Sequence, residues 1–296
     1  MTIEAFEKQT DATMDKNRNS AIGQMLLNQG KLTPQQAEKV LLLQKEQDLR
    51  FGEAAIKLGF ISETDLQRVL SSQFDYAFLS KDDRSLSENL LAAYQPHAEE
   101  VEALRSLRSQ LMLRWMGDGN KAVAVASHNA GRANSWLAAN LAVVFSQLGE
   151  RTLLIDGNMR FPSQHEFFKL DNRQGLSDIL AGRATLECAN RIPNLLDLSV
   201  LTAGTPVPNP QELLTRASFA GLMDRAEVGF DVIILDTPPM ELAADAQMIA
   251  ARSRGVVLLA DAGKSGVIAL TRCRDQLATS GATVLGCVLN HLKGAE

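Results

Sequence analysis

The stretch Ser127-His-Asn-Ala-Gly131-Arg132-Ala-Asn134-Ser135 joins the apolar run Ala122–Ala126 to a helical pattern that begins Trp136-Leu-Ala-Ala-Asn140. Strand, short loop and helix start, in that order, aim successive backbone N–H groups and a positive helix end at one point, which suits phosphate. In such loops a lysine neutralises the phosphates and a Ser or Thr hydroxyl holds Mg²⁺. Two acidic residues extend the pattern. Thr152-Leu-Leu-Ile-Asp156 and Val232-Ile-Ile-Leu-Asp236 are apolar runs that each end in aspartate. Each aspartate alone reads as an ordinary polar strand terminator, and Ser135 alone as a helix-start cap. Together, in this order, they favour a site.

The elements that must position these residues follow from the hydrophobic pattern. Strand-like runs at Ala122–Ala126, Thr152–Asp156, Leu198–Thr202, Val232–Asp236, Val256–Asp261 and Thr283–Asn290 alternate with helical stretches. That alternation predicts an α/β fold, a mostly parallel sheet with helices on both faces. A helix is expected from about Glu99 to Met116, with a connector before it over 80–98. Residues 1–19 are polar and are expected to be disordered. A net charge of −5 argues against a nucleic-acid partner. Cys188, Cys273 and Cys287 have neither metal-ligand nor redox-motif spacing. No apolar signal segment or membrane-length run is present, so a cytoplasmic chain is expected, brought to the inner membrane by a partner.

An internal repeat fills 20–79. Ile22-Gly23 aligns with Phe51-Gly52, Gly30 with Gly59, Leu32 with Ile61 and Gln44 with Gln73. Taken as 21–44 and 50–73, the units span 24 residues each with five between. Each reads as short helix, glycine-stopped turn and longer helix, a small all-helical domain ahead of the sheet. Thr33 with Gln36 makes a capping box, and Ser62 with Asp65 a weaker one. Ala37 with Leu41, and Leu66 with Leu70, share helical faces. The repeat resembles the N-terminal domain of type II secretion and pilus ATPases, in the variant called MshEN, whose tandem copies bind cyclic di-GMP. The resemblance implies that Arg50 contacts that ligand; unit one carries Ala21 at the matching place. The reading preferred for the repeat is a small helical docking module that binds no nucleotide, with a cyclic di-GMP receptor as the alternative.

From about residue 99 onward the chain resembles the bacterial tyrosine kinases of the Wzc/CapB type, within the MinD-like P-loop NTPases. The resemblance rests on the loop, on Asp156-Gly-Asn158-Met-Arg160, on Asp236-Thr-Pro-Pro239, and on Leu176–Gly182, Pro208–Leu214 and Gly286–Asn290 in the family's order. The combination with the repeat resembles the EpsG-type chain-length determinant kinases of exopolysaccharide loci. It implies ATP and Mg²⁺ as cofactors, with Gly131, Arg132, Asn134 and Ser135 at the phosphates. Ser135 and Asp236 would serve the metal, Asp156 the γ-phosphate, and Asn290 the adenine. It implies a membrane polysaccharide co-polymerase as partner. Glu102-x-x-Arg105-x-x-Arg108 resembles the family's oligomerisation motif and implies a homo-oligomer, although the same spacing also suits a charged surface.

The nucleotide motifs depart from that pattern. The loop lysine falls on Asn134, the preceding glycine on Ala133, and the second acidic residue of the middle motif on Asn158. Losing one charge-stabilising donor typically costs on the order of 10²–10³ in rate. A positive φ at Ala133 would cost about 1–2 kcal/mol. Asn158 offers no carboxylate base. The only tyrosines are Tyr76 and Tyr94, so no autophosphorylated tyrosine tail is expected. The readings are a regulatory pseudokinase, an active ATP-dependent kinase or ATPase with altered loop chemistry, and a cyclic di-GMP receptor.

Overall fold

The computed structural model describes residues 22–24, 26–27, 30–47, 49–62, 66, 78–80, 82–195 and 197–291. The tail expected at 1–19 lies outside them, as do Ala21, Asp65, Leu70, Gln73 and Tyr76. The chain divides into two compact units, Met1–Ala77 and Phe78–Glu296. Among the described residues no helix is long and apolar enough to cross a membrane.

In the first unit, helices α1 (Pro34–Gln47) and α2 (Phe51–Lys57) follow helical residues 22–24 and 26–27. Repeat-equivalent positions meet in one core: Ile22 and Phe51, Leu32 and Ile61, joined by Leu26, Val40, Ala54 and Ala55. The glycine at the second repeat position is required by that packing. A Cβ on Gly52 would lie 2.5 Å from the Leu66 side chain, and one on Gly23 3.2 Å from the Phe51 ring. Gly30 and Gly59 hold φ of +66° and +67°, the left-handed turn that stops each short helix. The Thr33 box forms, with the Thr33 N–H donating to Gln36 Oε1 at 2.9 Å and the Gln36 N–H to Thr33 Oγ1 at 3.3 Å. Leu41 does not share the buried face of Ala37; Val40 does, and Leu41 is 47% exposed.

The second unit comprises α3 (Leu91–Tyr94), α4 (Glu99–Arg114), β1 (Ala122–Ser127), α5 (Ala133–Ser146), β2 (Thr152–Asp156), α6 (Gln164–Phe167), α7 (Leu176–Leu180), β3 (Asn190–Arg191), β4 (Leu198–Leu201), α8 (Pro210–Leu214), α9 (Ala217–Gly229), β5 (Val232–Asp236), α10 (Asp245–Ser253), β6 (Gly255–Asp261), α11 (Val267–Thr279) and β7 (Thr283–Asn290). The strand order is β3-β4-β2-β5-β1-β6-β7, parallel except for the two-residue β3. All six expected strands are present. Strands β1, β2 and β5 are buried along their whole length, as their unbroken Val, Ile, Leu and Ala runs require in a sheet covered on both faces. Ala124, Ala126, Leu153, Ile155, Ile233 and Leu235 pack with residues of α7, α9 and α10. β7 differs: it is an edge strand, uncharged, with Thr283, Gly286, Cys287 and Leu289 exposed.

Helix α5 starts at the loop and is buried on nearly all sides, because its back is also covered. The connector expected at 80–98 supplies that cover and belongs to the second unit. Leu86, Leu90, Ala92, Ala93 and Tyr94 are buried there. The Ala92 N–H donates to Asn140 Oδ1 (2.9 Å), the Gln147 amide to Ala92 O (2.8 Å) and the Trp136 indole to Asn89 O (2.8 Å). An apolar, hydrogen-bonded segment of this kind cannot act as a free linker.

Candidate functional site

The site lies at the C-terminal ends of β1, β2 and β5, which are neighbours in the sheet. Asp156 ends β2 and Asp236 ends β5, directly in register. The loop leaves β1, and α5 opens at Ala133 with Asn134 and Ser135 in its first turn. Both carboxylates are fully buried. One Asp156 oxygen accepts the Asn158 N–H at 3.2 Å, and the other accepts those of Ser163 at 3.1 Å and Gln164 at 3.0 Å. One Asp236 oxygen accepts the Asn134 amide at 3.0 Å, and the other accepts the Gln164 amide at 2.8 Å. Burial raises both carboxyls above the ordinary carboxylate range, and the charge of Asp236 adds to the rise at Asp156. Among the described residues, none of the ion pairs reaches either carboxylate.

Asn134 accounts for much of this. Its amide turns out of the loop into the sheet end and also donates to Val125 O and Thr237 O, both at 2.9 Å. Its Oδ1 has no hydrogen-bond partner. Nor have Gln164 Oε1 and Ser163 Oγ, although these three residues are only 3%, 0% and 6% exposed. Ala133 escapes the strain feared for it: the positive φ of this loop sits at Gly131, +142°.

The loop already holds an anion. The Ala130 N–H donates to the carboxylate of Glu241. Arg132 turns away from the carboxylates to pair with Glu166 and to lie 5.4 Å from the centre of the Phe167 ring.

The chain is similar to other proteins over most of their length. YwqD, a tyrosine-protein kinase of Bacillus subtilis (strain 168), is 35% identical over 208 residues, 70% of this chain and 88% of its own length. CapB of Staphylococcus aureus is 35% identical over 198 residues, 67% of this chain and 87% of its own. This chain belongs to the bacterial tyrosine-protein kinase family. The kinase domain of Escherichia coli ETK, 28% identical, superposes with a TM-score of 0.68 over 74% of this chain and 86% of that one. MinD of Pyrococcus horikoshii, at 20% identity and a TM-score of 0.51, shares the fold alone, the MinD-like P-loop fold. No protein-family model matches the chain.

In this tyrosine-kinase relative the other expected residues sit on elements other than those that carry the carboxylates. Asn290, at the end of β7, donates to Asp261 Oδ1 at 2.7 Å. It lines a mostly apolar cleft of about 420 Å³ with Ala133, Trp136, Leu137 and Val288. Thus the cleft and the carboxylates share only the start of α5. Arg50 belongs to the first unit, where its backbone N–H donates to Glu53 at 3.0 Å. On α4, Glu102 pairs with Arg105 at 3.2 Å, and Arg105 also donates to Pro96 O at 2.7 Å. Arg108 corrects the surface motif: it is 7% exposed and its guanidinium donates to Val144 O on α5. It is consumed inside the chain because α4 packs against α5.

Gln164, Ser163 and Glu241 were not expected. Gln164 joins Asp156, Asp236 and the Ser135 carbonyl (3.0 Å), so it bridges two strands and the loop helix. Its one sequence signal is Pro162-Ser163, a helix-start pair just before it. The two carboxylates suit a hard cation such as Mg²⁺, and in this structure the Asn134 and Gln164 amide nitrogens occupy the oxygens of Asp236. The loop amide suits an anion, as Glu241 demonstrates. Among the described residues, none of the ion pairs brings a fixed positive charge to join the two.

Proposed function

We propose that this chain is a regulatory, catalytically impaired member of its family: a cytoplasmic pseudokinase that governs exopolysaccharide polymerisation, export and chain length by docking on a membrane polysaccharide co-polymerase. The observation that carries this reading is Asn134, whose neutral amide is bound to Asp236 where the family places a lysine beside phosphate. ATP enters this reading as a weak ligand. Gly131 and Ser135 meet its phosphates, Asp156 and Asp236 hold the Mg²⁺ shell, and the cleft at Asn290 takes the base. A homo-oligomer fits the reading, with Glu102 the exposed member of its motif. A calorimetric titration with Mg·ATP tests it. Weak or absent binding that Ala133→Gly with Asn134→Lys restores supports a degenerate site. Phosphotyrosine on a co-expressed substrate, lost in Asp236→Ala, would instead establish an active kinase.

A second reading concerns the first unit. Arg50 is exposed at the start of α2, and both turn glycines adopt the left-handed conformation the MshEN-type repeat needs. These features support cyclic di-GMP binding there. Loss of binding in Arg50→Ala is the expected result; unchanged binding removes Arg50 from the site, and no binding by the parent chain leaves a docking module.

A further inference from the structure

A cation that serves phosphates at this site must come from the C-terminal strand ends. Four loops leave neighbouring strands there: 157–163 after β2, 237–244 after β5, 128–132 after β1 and 262–266 after β6. Lysine or arginine occurs in them three times, as Arg160, Arg132 and Lys264. Two of these are engaged. Arg160 pairs with Asp245 at 2.8 Å, and Arg132 pairs with Glu166. Lys264 is exposed, and among the described residues its ammonium has no hydrogen bond or ion pair. Its place is fixed from both sides. The next residue, Ser265, accepts the Asn129 side-chain amide of the phosphate loop at 3.1 Å. The N–H groups of Lys264 and Ser265 close on Asp261 O at 3.1 and 2.9 Å, and Asp261 Oδ1 accepts the Asn290 amide at 2.7 Å. The turn that carries Lys264 is thus bonded to the phosphate loop and, through Asp261, to the end of β7. The strand order β2-β5-β1-β6-β7 then sets out one edge: Asp156, Asp236, the loop, Lys264 and Asn290. A nucleotide laid along that edge, its base at Asn290 and its last phosphate toward the carboxylates, passes its inner phosphates by Lys264.

We propose that Lys264 supplies the positive charge for the α- and β-phosphates, so that the site takes a nucleoside diphosphate as readily as a triphosphate. The proposal rests on the reading of ATP as a weak ligand of this pocket, and it adds a residue and a ligand preference to it. An ammonium on a flexible stem binds phosphate as a point charge, so Lys264 can act from a neighbouring loop without the placement of a loop lysine. The last phosphate meets different company. At its end of the edge stand two buried carboxylates and the neutral amide of Asn134. A third phosphate therefore adds negative charge with no further cation of the chain to meet it. Such a site retains nucleotide without stabilising charge on the phosphate that a kinase transfers.

The test is a calorimetric titration of the full chain with Mg·ADP, Mg·ATP and adenosine. The parent chain is expected to bind the two nucleotides about equally, and both more tightly than adenosine. Lys264→Ala should weaken both nucleotides by roughly tenfold and leave adenosine unchanged, whereas Lys264→Arg should keep the parent's affinities. Added salt should weaken nucleotide binding by the parent chain, and do so less in Lys264→Ala. Nucleotide affinity that is the same in Lys264→Ala and the parent overturns the proposal. So does a loss of adenosine in step with the nucleotides, which would mark a disturbed loop rather than a lost charge. A parent chain that prefers Mg·ATP to Mg·ADP by roughly tenfold or more overturns the ligand preference. The two readings fail separately. Nucleotide binding indifferent to Lys264 sinks this proposal and keeps ATP as a ligand. A parent chain that binds neither nucleotide also sinks it, and Ala133→Gly with Asn134→Lys then decides the reading beneath it.

Discussion

Two groups of buried carboxylates stand in the same unit and meet opposite fates. Asp178, in the first turn of α7, accepts from the Gly175 and Thr205 N–H groups, from the Thr205 hydroxyl at 2.9 Å and from Arg183 at 2.8 Å. Burial alone would raise its carboxyl, but the hydrogen bonds from the Thr205 N–H, Arg183, the Thr205 hydroxyl and the Gly175 N–H together outweigh it and hold the group at about 2. Asp156 and Asp236 also receive several donors but no cation, and there burial prevails. The difference lies in the balance of burial and hydrogen bonding: at Asp178 the bonds from Thr205, Arg183 and Gly175 together outweigh burial, whereas at the more deeply desolvated Asp156 and Asp236 burial outweighs the donors. Asp178 builds structure, and the pair at the loop remains charge-seeking.

The comparison can be broken most forcefully at its structural end. Asp178→Ala leaves the buried Gly175 N–H and the part-buried Thr205 N–H without an acceptor and releases the half-exposed Arg183, and should lower unfolding stability by about 2 kcal/mol in urea titrations. A variant as stable as the parent chain would mean that Asp178 plays no structural part.

Next in size is the dependence on pH, where the two groups act with opposite sign. For Asp156 and Asp236 the folded carboxyls hold their protons above the ordinary value of 3.8. The folded state then binds more protons than the unfolded state. Their contribution to stability is full below 3.8 and is lost as pH rises through the raised folded values. The slope is at most about 1.4 kcal/mol per pH unit for each proton. Asp178 acts the other way: its contribution is present above 3.8 and disappears as pH falls toward about 2. Melting curves in metal-free buffer should show both limbs, and Asp156→Asn should flatten only the upper one.

Supplying the missing charge should make the two sites alike. Asn134→Lys is expected to lower both raised carboxyls and to improve Mg·ATP affinity by about tenfold, the effect of one well-placed charge contact of roughly 1.4 kcal/mol. Calorimetry reads the affinity directly; no gain would locate the defect elsewhere in the pocket. The smallest effect belongs to Glu241, the exposed carboxylate on the Ala130 N–H. Glu241→Ala should raise nucleotide affinity by no more than about fivefold, in keeping with an exposed contact. A decrease would show that Glu241 aids binding rather than competing.

The parts of this molecule that were legible in the sequence are those that repeat a period or end a run. Unbroken apolar stretches announced six strands, and Asp156 and Asp236 stood out because each closes one. The two-residue β3 has no run to announce it. Gln164 was missed because its one signal, the helix start at Pro162-Ser163, marks a helix and not a site; only the crossing of β2, β5 and α5 gives it three partners. Arg108 misled for the converse reason. Charges spaced by three look like a helix surface, and the packing of α4 on α5 turned one of them inward. The connector at 80–98 misled because Lys81-Asp82-Asp83-Arg84 and Pro96 resemble a linker, while its buried leucines, alanines and Tyr94 are scattered without a clear period.

The strand at the far edge of the sheet has a bearing on how the protein can be handled. β7 offers eight uncharged residues whose outer backbone groups face away from the sheet, with no lysine or proline to discourage a neighbour. Concentrated solutions should therefore cluster edge to edge before they unfold. A single Cys287→Lys exchange at that exposed position should raise the solubility ceiling without touching the core.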